Sequence, residues 1–318
     1  MMFKNHKINT SLSDTILIDK ISDHSGHNAA IYSLAKASGD NFFYSVGGDG
    51  WIVKWPLTGP ILDGVLIGDT GGKLFAMAVA SKNHILIAGD IHGDLFWIDI
   101  NTKEILGRSA FHKGSIFDIC VINVSQVVTV SGDGYICLWD TEQRLPLLSK
   151  RLSSQGLRCV IYDPTTGKLF VGASDNNIYV LDVMGFDQKH VITQAHQNSV
   201  FALNFVPSIG LISGGRDAHL KIWDLSEYKV VSDLPAHWYT INKILYIAEF
   251  NIVVTASRDK TIRLWDAESN TLIHTLDVQK GGHFNSVNTL LWNTEHQILI
   301  SAGDDRVIRK WKIKRNDF

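Results

Sequence analysis

The sequence predicts an all-β fold, a seven-bladed β-propeller of four-stranded antiparallel blades that is closed by an N-terminal strand joining the last blade. A pattern recurs seven times along the 318 residues, at intervals of about forty-two residues, so its copies must stack to bury a shared core. Short apolar blocks, such as residues 127–130 and 135–139, alternate with turns rich in Gly, Asp and Asn, which is typical of antiparallel strands. A Trp-Asp dipeptide ends the third block of the clearest copies, at Trp139, Trp223 and Trp265, as it does in propeller blades.

Composition and charge favour a globular chain. Hydrophobic residues make up 45% of the sequence and Pro is scarce at 6 residues, so a large core is available. The formal net charge of -2 provides no long-range attraction to nucleic acid or to an anionic membrane. Because the seven units run from end to end, we expect residues 15–318 to form a single propeller and residues 1–14 to be a flexible extension.

Cysteine usage and hydropathy bear on location. The 3 cysteines include no CxxC pair, so neither a disulfide framework nor a zinc site is expected. The N-terminus lacks the apolar stretch of a signal peptide, and no apolar run is long enough to cross a membrane. We therefore expect a cytoplasmic protein without a membrane partner.

Five of the seven units contain the same set of four residues at matching offsets. The sets are His27, Ser45, Asp49 and Trp55; His112, Thr129, Asp133 and Trp139; His196, Ser213, Asp217 and Trp223; His237, Thr255, Asp259 and Trp265; and His283, Ser301, Asp305 and Trp311. With these sets the sequence resembles the WD-repeat (tryptophan-aspartate repeat) β-propeller family from about residue 15 to residue 313. The resemblance implies a structural network in each blade, in which indole, hydroxyl, imidazole and carboxylate are joined by hydrogen bonds.

Two units depart from this pattern. In the second unit the hydroxyl, Asp and Trp positions are occupied by Ala88, His92 and Ile98, with Trp97 one place early. In the fourth unit the His, hydroxyl and Trp positions are occupied by Ser153, Val171 and Leu181, although Asp175 remains. The apolar frame continues through both units, so we expect both blades to form and to lose only the polar network.

Ring closure follows from the ends of the pattern. Seven residues remain after Trp311, too few for a turn and a fourth strand, whereas residues 15–21 form a strand-like segment before the first unit. We expect this segment to be the outer strand of the last blade, since it would otherwise leave an open edge. We also expect the basic stretch Arg309, Lys310, Lys312, Lys314 and Arg315 to be a solvated strand and tail rather than a nucleic-acid contact.

The recurring Ser, His and Asp resemble a hydrolase triad, but we interpret them as structural. A catalytic set occurs once, whereas this one occurs five times with a Trp that engages the hydroxyl. No G-x-S-x-G motif surrounds any of these serines. The remaining histidines, including His24 and His92, show no ligand spacing. The sequence thus predicts no catalytic residue, no metal site and no cofactor.

Candidate partner-binding residues lie five positions after the His of each unit. In the family this position is near the rim of the central channel, and here it contains Tyr32, Phe75, Phe117, Arg158 and Phe201, followed by Asn242 and Asn288. Aromatic residues and Arg are enriched at binding hot spots, which favours a contact surface. The alternative is that the aromatic rings pack between neighbouring blades.

A second candidate group comprises Arg216, Arg258 and Trp238. Arg216 and Arg258 precede the turn Asp on adjacent blades, and Trp238 follows the His of the sixth unit. The next connection is also long, because Trp265 and His283 are eighteen residues apart. The extra residues lie within residues 276–282. Since loops on a rigid scaffold often bind ligands, we expect the partner to contact this sector. The alternative is that the Arg side chains in these turns are merely solvated.

The sequence favours a non-catalytic scaffold that binds a protein or peptide, which could be acidic, on the loop face around the channel. We expect a monomeric propeller that works within a complex. One alternative is an enzyme with an active site at the channel mouth, for which Asp118 is the one inner-strand carboxylate near the axis. Another is a nucleic-acid-binding propeller, which would require a local basic patch.

Overall fold

The computed structural model describes residues 16–36, 41–59, 63–80, 84–207 and 209–316. The extension 1–14 that the sequence predicts to be flexible lies outside these residues. In the described residues the chain forms seven four-stranded antiparallel sheets arranged as a ring, which confirms the predicted β-propeller.

The strands follow one another in chain order within each blade, the first being innermost. Strand β1 (Ile16–Ser25) belongs to the last blade. Blade 1 contains β2 (Ile31–Lys36), β3 (Phe42–Gly47), β4 (Trp51–Pro56) and β5 (Val65–Asp69), and blade 2 contains β6 (Leu74–Ala80), β7 (Ile85–Asp90), β8 (Asp94–Asp99) and β9 (Ile105–Ala110). Blade 3 contains β10 (Ile116–Asn123), β11 (Gln126–Ser131), β12 (Tyr135–Asp140) and β13 (Leu145–Arg151), and blade 4 contains β14 (Leu157–Asp163), β15 (Lys168–Ala173), β16 (Ile178–Asp182) and β17 (Gln188–Ile192). Blade 5 contains β18 (Val200–Val206), β19 (Gly210–Gly215), β20 (His219–Asp224) and β21 (Lys229–Pro235), and blade 6 contains β22 (Ile241–Ile247), β23 (Ile252–Ser257), β24 (Ile262–Asp266) and β25 (Leu272–Leu276). Blade 7 contains β26 (Val287–Asn293), β27 (Ile298–Gly303), β28 (Val307–Arg315) and β1.

The core is distributed between the blades. The first strand of each blade contacts the first strands of both neighbouring blades, so these strands surround the central axis. Trp139 of blade 3, for example, is completely buried against Ile87 and Trp97 of blade 2. Stacking of apolar sheet faces in this way buries what a single blade leaves exposed.

Strand β1 closes the ring, as predicted. It pairs with β28 in antiparallel register from Ile16 opposite Arg315 to Ser25 opposite Val307, with an irregularity between Lys20 and Ser22. Ile16 is buried in the core of blades 6 and 7. The strand is longer than residues 15–21, because pairing resumes after the irregularity and continues to Ser25.

The expectation of a solvated basic stretch is wrong for Arg309 and Lys310, which are buried. Arg309 Nη1 donates to Asp305 Oδ2 at 2.7 Å. Lys310 Nζ donates to the carbonyl oxygens of Pro56 and Leu57 at 2.7 and 3.0 Å. Burial lowers the pKa of Lys310 to about 8. The Arg309 bond lies within blade 7, whereas the two Lys310 bonds join blade 7 to blade 1.

Only part of the same stretch is open to solvent. Lys314 and Arg315 are exposed, whereas Lys312 is half-buried and its Nζ donates to the carbonyl oxygen of His296 at 2.7 Å. Exposure therefore increases along β28 from the buried Lys310 to the exposed end of the strand at Lys314 and Arg315.

Candidate partner-binding face

Five blades contain a hydrogen-bonded tetrad at one face of the ring. In blade 5 Trp223 Nε1 donates to Ser213 Oγ at 2.8 Å, and the hydroxyl bonds to His196 Nε2 at 2.7 Å. His196 Nδ1 lies 2.9 Å from Asp217 Oδ1. The corresponding residues of blades 1, 3, 6 and 7 make the same contacts. Since the indole occupies each hydroxyl, no tetrad presents a free Ser or Thr nucleophile.

The tetrads fix the loops of this face, which we call the loop face. In blade 5 the carboxylate of Asp217 also accepts backbone N–H bonds from Gln197 and His219, at 2.9 and 3.2 Å. Burial alone would raise the pKa of Asp217, but the bonds from His196 and the backbone lower it to about 2. The loop before the first strand is thereby joined to the turn after the second strand.

Blade 4 replaces the tetrad rather than losing it, so the expectation of a missing network is wrong. Ser153 Oγ donates to Asp175 Oδ2 at 2.5 Å, and Tyr179 hydroxyl donates to the same oxygen at 2.6 Å. Asp175 Oδ1 accepts the backbone N–H of Asn177 at 3.2 Å. A tyrosine on the third strand therefore donates the hydrogen bond that an imidazole donates elsewhere.

Blade 2 also has a substitute network. Trp97 Nε1 donates to Ser109 Oγ at 3.0 Å, and that hydroxyl donates to the carbonyl oxygen of Arg144 in blade 3, also at 3.0 Å. Asp90, two residues before His92, accepts the backbone N–H of His92 at 2.9 Å. Because Trp97 is one place early, it faces blade 3 instead of blade 1. Both departing blades thus satisfy their polar groups by other routes.

The five channel residues predicted from the repeat line one central cavity of about 260 Å³. They also contact one another in order around the axis. Ring centroids of Tyr32 and Phe75 are 4.9 Å apart, and those of Phe75 and Phe117 are 5.6 Å apart. The guanidinium of Arg158 lies 4.3 Å from the centroid of Phe117 and 5.3 Å from that of Phe201. We call these five residues the aromatic arc, which both packs between blades and faces the channel.

Three further residues that line the cavity, Asp118, Cys159 and Lys243, were only partly predicted. Asp118 lines the cavity as expected, and its carboxylate accepts the backbone N–H groups of Val160 and Ile119 at 3.0 Å. Burial raises the pKa of Asp118, while the charge of Lys243 opposes this rise. Lys243 and Cys159 also line the cavity and were not predicted, although they occupy the same repeat position as Asp118.

The second predicted group lies on the exposed loops of blades 5 and 6. Arg216 and Arg258 are exposed, and the Trp238 side chain is 81% exposed. Sequence reasoning missed two further exposed aromatic residues, Tyr239 and Phe284. Phe284 directly follows the His of blade 7, as Trp238 follows that of blade 6, so the same offset could have found it. We call Trp238, Tyr239, Arg258 and Phe284 the blade 6–7 sector.

The long connection before blade 7 contributes to this region. It contains a single 3-10 turn at Val278–Lys280, whose N-cap residue Asp277 accepts the backbone N–H of Lys280. Gly281 ends the turn with a positive φ of 75°, which favours glycine. Val278 is exposed at the surface of the turn. The insertion is therefore an ordered loop with an apolar tip.

Within the described ranges no three His, Cys, Asp or Glu side chains converge as metal ligands would. No helix found there has the length and apolar character needed to cross a bilayer.

Comparison with protein families agrees with the repeat geometry. The family model described as WDR54 matches residues 63–236, which is more than half of the chain. The chain belongs to the WDR54 family. The model described as WD domain, G-beta repeat, matches residues 228–266 and 270–312. The resemblance to WD-repeat propellers is thus confirmed.

Individual relatives of this WDR54-family chain have low sequence identity to it. Kinesin-like protein KIF21A from Homo sapiens is 28% identical over 182 residues, which covers 54% of this chain and 11% of that protein. DENN domain and WD repeat-containing protein SCD1 from Arabidopsis thaliana is 22% identical over 254 residues, covering 76% and 21%. The chain thus spans a small part of the length of these two relatives. Among solved structures, the WD40 beta propeller domain of Doa1 superposes with a TM-score of 0.83 at 16% identity, covering 93% of this chain and 96% of that chain, which shows the shared fold.

Proposed function

We propose that this chain is a non-catalytic scaffold that binds a protein or peptide partner on its loop face, with the blade 6–7 sector as the main contact. The exposure of Trp238 carries this proposal, because 81% of so large an apolar side chain is open to solvent. Tyr239 and Phe284 are exposed beside the same two blades, at 60% and 58%. A group of exposed aromatic residues on a rigid scaffold is typical of an interaction site.

The charges near this sector favour an acidic partner. Arg258, Lys260 and Lys280 are exposed, and none of them forms an ion pair within the described residues. Unpaired basic groups around an apolar patch steer an acidic surface toward it and increase its association rate.

An enzymatic role has less support. The hydroxyls of the five tetrads are occupied by indole donors, and Asp118 is the single carboxylate among the residues that line the described cavity. One acidic group without a partner acid or base does not make a hydrolytic site.

The nucleic-acid alternative predicts retention on heparin that falls steeply with salt. We expect no such retention from a chain of formal net charge -2.

The proposal includes a cytoplasmic location and a monomeric propeller within a larger complex. The three free thiols, of Cys120, Cys137 and Cys159, support a reducing compartment. Burial raises the pKa of both Cys120 and Cys137 to about 12, so both thiols are protonated at neutral pH.

Affinity capture from native cells tests the proposal. The double substitution Trp238→Ala and Arg258→Ala should reduce the quantity of captured partner about tenfold or more, because both residues are at a hot-spot surface. The matched control is Val231→Ala with Lys229→Ala, since these residues are exposed on the outer strand β21. Normal capture by the first variant and loss by the control would place the partner on the rim and contradict the proposal.

A further inference from the structure

The orientation of Arg158 at the channel mouth is fixed by three groups. Its guanidinium lies between the rings of Phe117 and Phe201, and its Nε donates to Ser174 Oγ at 2.6 Å. Within the described residues its two terminal nitrogens have no hydrogen-bond partner, and the side chain lines the central cavity. A guanidinium held by two aromatic neighbours and one hydrogen bond loses little freedom when it binds a ligand, so its two terminal nitrogens are ready donors.

Arg158 and Arg216 are positively charged side chains of the adjacent blades 4 and 5. Burial, followed by the charge of Arg216, lowers the pKa of Arg158. Neither residue forms an ion pair within the described part of the chain. The buried Arg309 differs, because it pairs with Asp305 at 2.7 Å. An anion bound by Arg158 would also be attracted by the charge of Arg216.

Neither of the acidic residues Asp304 and Asp118 supplies an anion for Arg158. Asp304 belongs to blade 7, across the ring from blade 4, and its Oδ1 accepts a bond from Asn288 at 2.7 Å. Asp118 accepts two backbone N–H bonds, and burial disfavours its charged form. The channel mouth is therefore positive near blades 4 and 5 and aromatic along Phe75 and Phe117, with Lys73 Nζ 5.9 Å from the centroid of the Phe75 ring.

We propose that the channel mouth binds an acidic peptide segment through one carboxylate side chain, which accepts hydrogen bonds from both terminal nitrogens of Arg158. Arg216 supplies the second positive charge, and an adjacent apolar side chain of the peptide packs on Phe75 and Phe117. The planar guanidinium matches the two oxygens of a carboxylate, which makes the contact directional as well as electrostatic. This inference rests on the proposed scaffold function, since it names the chemistry recognised at the same face.

Selection from a library of randomised seven-residue peptides displayed on phage tests this inference with the whole chain as bait. We expect the recovered peptides to be enriched in Asp or Glu next to an apolar residue. A recovered peptide, labelled for fluorescence polarisation, should bind about tenfold more weakly when its acidic residue is replaced by the amide. The Arg158→Met variant should bind the acidic peptide more weakly by a similar factor. Its affinity for the amide peptide should be unchanged.

Arg216→Met is the second variant, because Arg216 is exposed and its loss does not threaten folding. We expect about a threefold loss of affinity, which shrinks as salt is added. Recovery of no peptide above background, or binding that survives Arg158→Met, overturns the inference. A phosphoserine peptide that binds more than tenfold tighter than the carboxylate peptide also overturns it, because the site would then recognise phosphate.

Native-partner capture separates this inference from the scaffold proposal. Loss of capture with Trp238→Ala and Arg258→Ala, but not with Arg158→Met, would keep the scaffold and discard the carboxylate site. If Arg158→Met alone abolished capture of the native partner, the chain would still be a loop-face scaffold, but its main contact would be at the channel and not in the blade 6–7 sector.

Discussion

Blades 4 and 5 are neighbours with the same strand order, yet they use different residues to fix the same turn. In blade 5 the turn carboxylate of Asp217 lies 2.9 Å from His196 Nδ1, and the imidazole continues to a serine and a tryptophan. In blade 4 the turn carboxylate of Asp175 accepts hydroxyl donors from Ser153 and Tyr179, at 2.5 and 2.6 Å. Both carboxylates also accept a backbone N–H two residues later, at 3.2 Å.

The comparison shows that the turn carboxylate is satisfied in both blades, although its donors differ. Tyr179 lies opposite Val171 in blade 4, as Lys221 lies opposite Ser213 in blade 5, so the two blades are in the same register. The tyrosine reaches the carboxylate from the third strand, whereas the imidazole reaches it from the preceding loop. Because Val171 is buried and apolar, blade 4 replaces a buried hydroxyl contact by apolar packing.

Removing a whole strand should have a larger effect than changing either network. Deletion of residues 1–25 removes β1, exposes the edge of β28 and uncovers the core beside the buried Ile16. We expect the free energy of unfolding to fall by at least about 3 kcal/mol, or the chain to aggregate. Thermal melting measures this loss. In the same strand Asp19→Ser should cost less than about 1 kcal/mol, since the pair of Asp19 with Lys314 is exposed. An unchanged melting temperature after the deletion would contradict the closure by β1.

Asp217→Ala should have the next largest effect. It leaves the buried His196 and two backbone donors without an acceptor, at a cost of about 2–3 kcal/mol in urea unfolding at neutral pH. The pKa of Asp217 is lowered to about 2, so its contribution is present above the unfolded pKa and is lost as the pH falls through about 2. The difference between the variant and the parent should therefore shrink between about pH 4 and pH 2. A constant difference over that range would mean that the carboxylate charge does not stabilise blade 5.

Most of the fold could be predicted, because its signals are local and repeat. Turn residues and the Trp-Asp dipeptide mark strand ends in each unit, and a missing fourth strand in the last unit indicates β1. The end of β1 at Ser25 could not be predicted, since the irregularity near Ile21 breaks the alternation of side chains. Burial of Lys310 was missed for another reason. It depends on carbonyl groups of blade 1 that the local sequence does not reveal.

The candidate site was also predictable only in part. A fixed offset from the repeat His located the cavity-lining residues Tyr32 and Arg158, because strand register fixes side-chain direction. The role of Tyr179 was missed because its position contains no tetrad residue in the other blades. The partner and the face that binds it stay predictions, since a repeat pattern encodes the scaffold and not its ligand.

Changes in blade 4 should be smaller than Asp217→Ala but still measurable. Asp175→Ala leaves two hydroxyl groups and the backbone N–H of Asn177 without their acceptor, and hydroxyls can turn toward other partners more readily than an imidazole can. We expect a loss of about 1–2 kcal/mol, and about 1 kcal/mol for Tyr179→Phe. In a double-mutant cycle of Asp175→Ala and Tyr179→Phe, the losses should not add, because the two side chains share one hydrogen bond. Additive losses would show that Tyr179 does not stabilise the turn through Asp175.

The smallest expected effect is on the pH dependence of stability. The imidazole networks should contribute to it, whereas the blade 4 network should not, because it contains no imidazole. Burial lowers the pKa of His27, His237 and His283 below 6.5, although the nearby carboxylates oppose this shift. The unfolded chain then binds more protons than the folded one just below pH 6.5, so stability falls as the pH decreases from 7 toward 5. His237→Gln should make this pH dependence shallower while lowering stability at pH 7. Tyr179→Phe is the matched control, because burial raises the pKa of Tyr179 further above 10 and the group does not titrate in this range. Urea unfolding at pH 5, 6 and 7 measures the three slopes. If Tyr179→Phe changed the slope as much as His237→Gln, the pH dependence would not come from the imidazoles, and this distinction between the blades would be lost.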